Sequence, residues 1–292
     1  MNYQTPRHVR AAVAACGVLS LALAAMGPAF ASGRPAVMPN EMVLTEAQQE
    51  KALMGMSAGE RARREAQWSD PSVLPVSYAR AYFVLEPDGK GGYAPVEVGG
   101  PDTDDAPNFH VPTLATAATT GTGGRYDLYI SIAVVRMTCS GCYQWGIDNW
   151  ADWKGGTGMD WANGAEDMIG TSWGGNLWLN SDSYAGEYNS YGTTPKKLDI
   201  YRSDVTAGEG VGWSFHEWTD FSQCCTKSMN WGDGTAYIRE SSWKYTTDNA
   251  VHKYFHTKGS NSYSLTFYNA GITISPNDSN QWSAAAFASF SH

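Results

Sequence analysis

The chain has 292 residues, with 29 Asp or Glu against 20 Lys or Arg, so its formal net charge at pH 7 is −9. Phosphate contacts need clustered cations, and the basic residues here are few and scattered, which argues against a nucleic-acid partner. The length allows one large domain or two small ones.

The first 31 residues have the features of a cleavable export signal. Arg7 and Arg10 supply positive charge, the apolar stretch Ala11–Met26 follows, and Ala29–Ala31 ends it with small residues at the cleavage positions. An uncleaved membrane anchor is the alternative, but the apolar stretch is short for a bilayer and no later run approaches membrane length. We therefore predict a signal peptide over residues 1–31, a secreted, extracellular mature protein and no membrane partner.

Four cysteines remain after the predicted signal: Cys139, Cys142, Cys224 and Cys225. In an oxidising compartment the default expectation is disulfide bonding. Adjacent cysteines rarely bond each other, so of the three pairings we favour two bridges that join the 139/142 pair to the 224/225 pair. Each bridge would close a loop of roughly 80 residues and add about 4 kcal/mol on the chain-entropy model. A redox C-x-x-C motif and a four-thiolate zinc site are alternatives that lack their usual sequence context.

Two short helices are predicted within residues 42–68. Thr45 with Gln48, and Ser57 with Glu60, fit the capping box, in which the cap hydroxyl and the side chain three residues on exchange bonds with the backbone. The second helix also carries Arg61, Arg63 and Arg64. A solvated helix face is the explanation that we favour for these arginines, and docking onto a partner subunit is the alternative.

A hairpin is predicted next, because two β-type runs at 81–85 and 93–98 flank turn-forming residues. It completes an N-terminal region of residues 32–98. Residues 99–124 have the Gly, Pro, Thr, Asp and Ala content of a flexible linker, which places a domain boundary near residue 124. Residues 125–292 combine short apolar strands with Gly-rich turns and show no long amphipathic helix. This pattern predicts an all-β fold, a disulfide-stapled β-sandwich domain.

The strand candidates of this domain are β-branched or aromatic runs bounded by turn residues. They are 126–135, 176–179, 198–201, 212–218, 235–239, 263–268, 271–275 and 282–290. In one of them, Tyr263, Leu265 and Phe267 alternate with residues 264, 266 and 268. This is the period of two expected for a strand that is half in the core.

A tryptophan-rich stretch carries the candidate binding residues. Its indoles stand among Gly, Asp and Asn, a composition that we interpret as loop. Exposed indoles can stack on sugar faces while neighbouring carboxylates bind hydroxyls. The candidate ligand-binding residues are Trp145, Asp148, Trp150, Asp152, Trp153, Asp160 and Trp161. The alternative, which we prefer, is that the tryptophans fix irregular loops to the sandwich by burying their indole rings, with each indole N–H hydrogen-bonded.

No catalytic or metal motif is found in the sequence. The acidic stretch lacks the EF-hand pattern, which leaves calcium open only as a generic oxygen-donor site. A glycosidase carboxylate pair is defined by a separation in space that sequence cannot supply. His252 and His256 have the spacing of half a zinc motif, but Lys253 stands where H-E-x-x-H needs Glu. We therefore expect no enzyme activity, no catalytic residue, no metal and no cofactor.

Three segments near the end of the chain contain aromatic residues, which alternate with Ser or Thr in the second segment and precede small residues in the third. They are Val251–His256, Ser262–Asn269 and Gln281–Ala286, the last with the sequence Gln-Trp-Ser-Ala-Ala-Ala. In this respect the stretch resembles the small secreted lactococcin-like bacteriocins of Gram-positive bacteria, a resemblance that implies a compact β-sandwich. The cysteines, the tryptophan-rich stretch and the N-terminal region depart from the pattern of that family.

These features favour a secreted, non-enzymatic binding or adaptor protein, for instance a subunit of an extracellular toxin or surface assembly, whose partners are other secreted proteins. The first alternative is a lectin-like protein that binds cell-wall or extracellular polysaccharide through the tryptophan-rich stretch. The second is a secreted hydrolase, which no residue constellation supports.

Overall fold

A computed structural model of the chain describes residues 37, 41–89, 93–98, 127–139, 142–153, 166–190, 196–216, 227–240, 243–257, 262–277 and 281–292. The predicted signal peptide and the predicted linker lie outside these ranges, so both stay predictions. Among the described helices, none combines the length and the apolar character needed to span a membrane.

The described residues form two helices, α1 (Glu46–Met54) and α2 (Ala58–Trp68), and fourteen strands. The strands are β1 (Val73–Pro87), β2 (Tyr93–Val98), β3 (Leu128–Cys139), β4 (Cys142–Trp153), β5 (Glu166–Trp173), β6 (Trp178–Ser190), β7 (Lys196–Lys197), β8 (Ile200–Thr206), β9 (Gly210–His216), β10 (Lys227–Glu240), β11 (Thr247–Thr257), β12 (Ser264–Tyr268), β13 (Gly271–Ser275) and β14 (Gln281–Ser291).

Both helices begin where their capping residues predict. The Thr45 hydroxyl accepts the Gln48 N–H at 3.3 Å, and the Gln48 side chain accepts the Thr45 N–H at 2.9 Å, which completes a capping box. At α2 the Ser57 hydroxyl accepts the Glu60 N–H at 3.4 Å. The Glu60 carboxylate instead binds the Tyr129 hydroxyl, in the sheet below. The predicted helix starts are confirmed, and the second box is only half formed.

The strands pair antiparallel in three sheets. Sheet A has the order β2-β1-β3-β4-β10-β6-β7, sheet B has the order β14-β11-β5-β9-β8, and β12 with β13 forms a separate hairpin. The predicted N-terminal hairpin is confirmed as β1 and β2, paired from Tyr82 with Val98 to Pro87 with Tyr93. Since β1 also pairs with β3, strands from both sides of the predicted domain boundary share one sheet. The prediction of a mainly β fold is confirmed.

The largest buried cluster takes side chains from both large sheets. Ile130, Trp145 and Ile238 come from sheet A, and Trp213 and Phe290 come from sheet B. Successive side chains of a strand point to opposite faces, so every second residue joins this core and the rest face outwards. At one edge of sheet B, β14 contacts β1 and β3, and at the other edge β8 contacts β6.

A separate element covers the outward face of each sheet. The helical cover, formed by α1 and α2 with the residues before them, packs on sheet A through Leu44, Ala52, Met56, Trp68, Val73, Ala133 and Val135. The hairpin cover, formed by β12 and β13, packs on sheet B through Met168, Val251, Phe255, Leu265, Phe267, Ile272 and Ile274. Both outward faces are therefore partly removed from solvent.

Candidate functional site

The interpretation of the tryptophan-rich stretch as loop is wrong for residues 145–153. They belong to β4, which pairs with β3 and β10 along its whole length. Trp145, Trp150 and Trp153 are at most 1% exposed. β4 is central in sheet A, with the core on one face and α2 over the other, and strands buried on both faces do not show the usual polar alternation. In this conformation the three indoles pack in the interior, as the alternative explanation expected, but they belong to a strand rather than to loops. The Trp153 N–H donates to the Tyr254 hydroxyl at 3.1 Å, whereas the N–H groups of Trp145 and Trp150 have no hydrogen-bond partner among the described residues. Asp160 and Trp161 lie outside the described residues.

Asp148, another predicted site residue, lies in a buried ion pair. Its carboxylate accepts hydrogen bonds from Arg64 at 2.7 Å and from the Gln67 amide at 2.5 Å. Glu60 lies 3.4 Å from Arg64 on its other side. Burial opposes the charge of Arg64, but Asp148 and Glu60 outweigh burial and raise its pKa. The interpretation of Arg64 as part of a solvated face is therefore wrong, because the helix docks on the protein's own sheet.

The same interface continues from Glu60 into tyrosine hydroxyls. Tyr129 donates to the Glu60 carboxylate at 2.6 Å, and Ser131 donates to its other oxygen. The Tyr78 and Tyr129 hydroxyls are 2.5 Å apart. Burial, and next the charge of Glu60, raises the pKa of both tyrosines. Glu60 thus links α2 to β3 through two hydroxyl donors.

Arg63, next to Arg64 on α2, forms a second ion pair that is partly exposed at the protein surface. Its guanidinium pairs with Asp233 and donates to the Thr235 hydroxyl at 3.0 Å. The Arg63 side chain is 32% exposed, whereas Asp233 is 1% exposed. Burial is the main reason that the pKa of Arg63 is lowered. α2 is therefore fixed to β10 as well as to β4.

An aromatic platform lies beside this network. The rings of Trp150 and Trp231 stack with centroids 4.5 Å apart and planes inclined by 12°. The Trp231 indole N–H donates to Glu187 at 2.8 Å. Asp152 on β4 and Glu187 on β6 are the direct register partners of Trp231 on β10. We call Trp150, Asp152, Glu187 and Trp231 the Trp231 platform.

Two members of the platform were missed from the sequence. Trp231 and Glu187 lie far along the chain from β4, and only the pairing of β10 with both β4 and β6 makes them neighbours of Asp152. No local spacing could have indicated this arrangement, since cross-strand neighbours are set by register rather than by sequence distance. Asp152 and Trp150 are the two predicted residues that the structure brings to this platform.

Where β6 contacts β8, the strands at the ends of the two large sheets lack a full strand partner, as do β2 and β14 on the other side of the molecule. β6 pairs with β10 on one side, whereas on the other side β7 pairs only with Glu187 and Tyr188. β8 is the end strand of sheet B. Within the described part of the chain, residues 178–186 of β6 have no strand partner on this side, although the Leu179 N–H bonds to the Ala207 carbonyl and the Gly186 carbonyl accepts the Leu198 N–H. We call this stretch of β6 and the outer side of β8 the open edges.

The histidines of β11 are buried, and one ring nitrogen of each lies within hydrogen-bond distance of an oxygen atom. Burial lowers the pKa of His252 to about 4, and its Nδ1 lies 3.2 Å from the Gly170 carbonyl oxygen. His256 Nδ1 lies 3.1 Å from the Asp167 carboxylate, which also accepts the Tyr254 hydroxyl. In the described ranges no group of three or more His, Cys, Asp or Glu could hold a metal ion.

The predicted disulfides stay predictions. Cys139 and Cys142 are register partners at the end of the β3–β4 hairpin. Cys224 and Cys225, to which we expect them to be bridged, lie outside the described residues.

No protein-family model matches the chain, and no curated protein matches it.

Proposed function

We propose that this is a secreted, non-enzymatic binding protein whose two large sheets form a disulfide-stapled sandwich. In this proposal it captures an extended segment of another secreted protein at its open edges. The observation that supports the proposal is that β6 and β8, which end the two sheets on one side, carry four exposed large apolar side chains, whereas the end strands β2 and β14 on the other side carry two among the described residues. The main core, shared by both sheets, supports the sandwich arrangement.

The open edges carry exposed apolar side chains that can contact a partner. Trp178 and Tyr184 on β6 are 47% and 40% exposed, and Tyr201 and Val205 on β8 are 42% and 52% exposed. Exposed apolar surface of this kind is available for burial against a partner.

The backbone of the open edges supplies the second part of the recognition. A strand that ends a sheet presents N–H and C=O groups to which another strand can pair. In strand addition, these main-chain bonds give affinity and pockets for alternate side chains give specificity. The partner would accordingly be an extended segment with apolar side chains at every second position.

Contacts between β6 and β8 hold the open edges in place. Arg202 donates to Asp182 at 2.7 Å, and Asp182 also accepts the Trp213 indole N–H at 3.2 Å. The Leu179 N–H donates to the Ala207 carbonyl at 2.6 Å, just beyond β8. A surface that is already ordered loses little conformational entropy on binding, which favours affinity.

The test is to isolate the tagged protein from the culture supernatant of its own host and to identify bound proteins by mass spectrometry. Hydrogen exchange on the isolated complex then locates the contact. Slower exchange of amides within 178–186 and 200–206 in the complex than in the free protein supports the proposal. A protein recovered without partners, or protection confined to other strands, contradicts it.

A matched pair of variants sharpens this test. Tyr184→Glu places a charge on an open edge, whereas Tyr93→Glu makes the same change on β2, the opposite edge strand of sheet A, where Tyr93 is 46% exposed. We expect at least tenfold less partner with Tyr184→Glu and an unchanged amount with Tyr93→Glu. Equal recovery with both variants would refute a role for the open edges.

A further inference from the structure

We infer that the Trp231 platform is a carbohydrate-binding site that takes a neutral pyranose of a polysaccharide. The site lies on the outward face of sheet A, next to the N-terminal part of α2, and is distinct from the open edges. It therefore goes beyond the proposed capture of a protein segment, and failure of either inference leaves the other unaffected.

The aromatic part of the platform is held rigidly. Trp231 stacks on Trp150, and Trp150 in turn packs under α2, where a Cβ on Gly59 would lie 3.4 Å from its ring. The bond from the Trp231 indole N–H to Glu187 fixes the rotation of the outer ring. An indole that is partly exposed and held in place offers a large amphipathic contact surface, as aromatic side chains in ligand sites do.

Hydrogen-bonding groups flank the ring on both sides. Asp152 and Glu187 are the register partners of Trp231 on the two neighbouring strands, and both are half-buried. Paired residues of adjacent strands share a face, with Cβ atoms about 5 Å apart. Each carboxylate has oxygen lone pairs with which to accept hydrogen bonds from sugar hydroxyls on either side of a stacked ring.

A cationic donor completes the arrangement. Asp233 lies two residues beyond Trp231 on β10, so it faces the same way, and it holds the partly exposed guanidinium of Arg63. The Trp150 indole N–H, buried beneath the platform, has no hydrogen-bond partner among the described residues. The platform thus joins an apolar ring to acceptors and donors, the combination that a polyhydroxylated ring requires.

The charges around the ring select the class of sugar. Asp152, Glu187 and Asp233 contribute three carboxylates to this face, and the described cations beside them are Arg63, paired with Asp233, and Lys197, the register partner of Glu187. Because both cations already face a carboxylate of the protein and the carboxylates outnumber them, uronic acids and other anionic sugars would meet net negative charge. A neutral hexopyranose or pentopyranose avoids this repulsion.

The experiment is native gel electrophoresis of the full chain through gels that contain one soluble polysaccharide each. The neutral probes are mixed-linkage β-glucan, galactomannan, xylan and amylopectin, and polygalacturonate is the anionic probe. We expect retardation by at least one neutral probe and none by polygalacturonate. Mobility unchanged in all four neutral gels, or stronger retardation by polygalacturonate, would overturn the inference.

Variants locate the site. We expect Trp231→Ala to weaken the binding of the retarding polysaccharide at least tenfold, and Trp178→Ala, which removes an exposed indole from an open edge, to leave it unchanged. Glu187→Gln and Asp152→Asn retain side-chain shape and should weaken binding at least threefold, even if Trp231→Ala fails to fold. Equal losses with Trp231→Ala and Trp178→Ala, or full binding by both amide variants, would overturn the inference.

Discussion

The two covers of the sheets differ in the chemistry that holds them. The helical cover packs on sheet A through an apolar cluster, but it also buries Glu60, Arg64 and Asp148 in one charged network. The hairpin cover packs on sheet B mainly through aliphatic and aromatic side chains such as Leu265 and Phe267. The first interface depends on the pairing of specific groups, and the second depends on the area of apolar surface removed from water.

This difference predicts different responses to substitution. Apolar burial is non-directional and is lost in proportion to the area and volume removed. A buried ion pair contributes little beyond its own desolvation cost while it is intact, yet loss of one partner leaves an uncompensated charge in the interior. The helical cover should therefore be sensitive to the balance of its charges, and the hairpin cover to the volume of its side chains.

The largest effect is expected from Arg64→Ala. This change leaves Asp148 and Glu60 buried without their cation and should lower the free energy of unfolding by about 3–5 kcal/mol. Urea denaturation of the wild type and the variant, followed by circular dichroism, measures this loss.

A neutralised network provides the control for Arg64→Ala. The triple variant Glu60→Gln, Arg64→Met and Asp148→Asn replaces all three charged side chains, so none of them is left without its partner. The new amide oxygens at 60 and 148 can still accept hydrogen bonds from Tyr129 and Gln67. The triple variant should recover at least half of the stability that Arg64→Ala loses. If it is as unstable as Arg64→Ala, charge imbalance is not the cause.

A somewhat smaller loss is expected from Phe267→Ala in the hairpin cover. The Phe267 ring lies directly on the backbone of Gly210, where a Cβ would collide with it, so its removal leaves a cavity. We expect a loss of about 3–4 kcal/mol in the free energy of unfolding. Phe267→Leu removes less volume and should cost clearly less, and similar losses for both variants would argue against the volume-dependent explanation.

The smallest effect is expected from Lys253→Met, which removes a charge from β11 of sheet B, under the hairpin cover. Lys253 Nζ donates to the Ile272 carbonyl at 3.0 Å, and burial lowers its pKa. Methionine keeps most of the aliphatic body, so the free energy of unfolding at pH 7 should change by no more than about 1 kcal/mol. A loss as large as that of Arg64→Ala would remove the contrast between the two covers.

The difference in free energy of unfolding between the wild type and Lys253→Met should depend on pH, with a sign set by the lowered pKa of Lys253. Below the folded-state pKa, Lys253 is protonated in both states and the burial penalty is constant. Between that value and the unfolded value near 10.5, the unfolded state binds more protons, so wild-type stability rises with pH relative to Lys253→Met. Denaturation at pH 7 and pH 10 measures this change, and the opposite sign would contradict the assigned shift.

Parts of the fold could be predicted because they depend on local contacts. Thr45 and Ser57 mark helix starts through hydrogen bonds that reach only three residues. The alternation of Leu265 and Phe267 predicted a half-buried strand, which is confirmed as β12 with both side chains buried. At the helix starts, a short stretch of sequence contains both the cap hydroxyl and the N–H group that it accepts. In β12, a short stretch contains the whole alternation of buried and exposed side chains.

Other parts could not be predicted because the partners are distant along the chain. Arg64 and Asp148 are 84 positions apart, and no spacing rule connects them. The Trp231 platform needs the register of β4, β10 and β6 before its members can be recognised as neighbours. The Gly, Asp and Trp content of β4 suggested a loop, because composition does not show that both faces of that strand are covered.

By itself, the sequence determined the mainly β character, the two helix starts and the N-terminal hairpin, since capping, turn chemistry and side-chain alternation act over a few residues. The tertiary structure decided which side chains of β4 are interior, which charges of α2 are paired and which aromatic rings reach the surface. These outcomes depend on strand order and on what packs over each sheet. Both are long-range properties, fixed only when distant segments bury one another's surfaces.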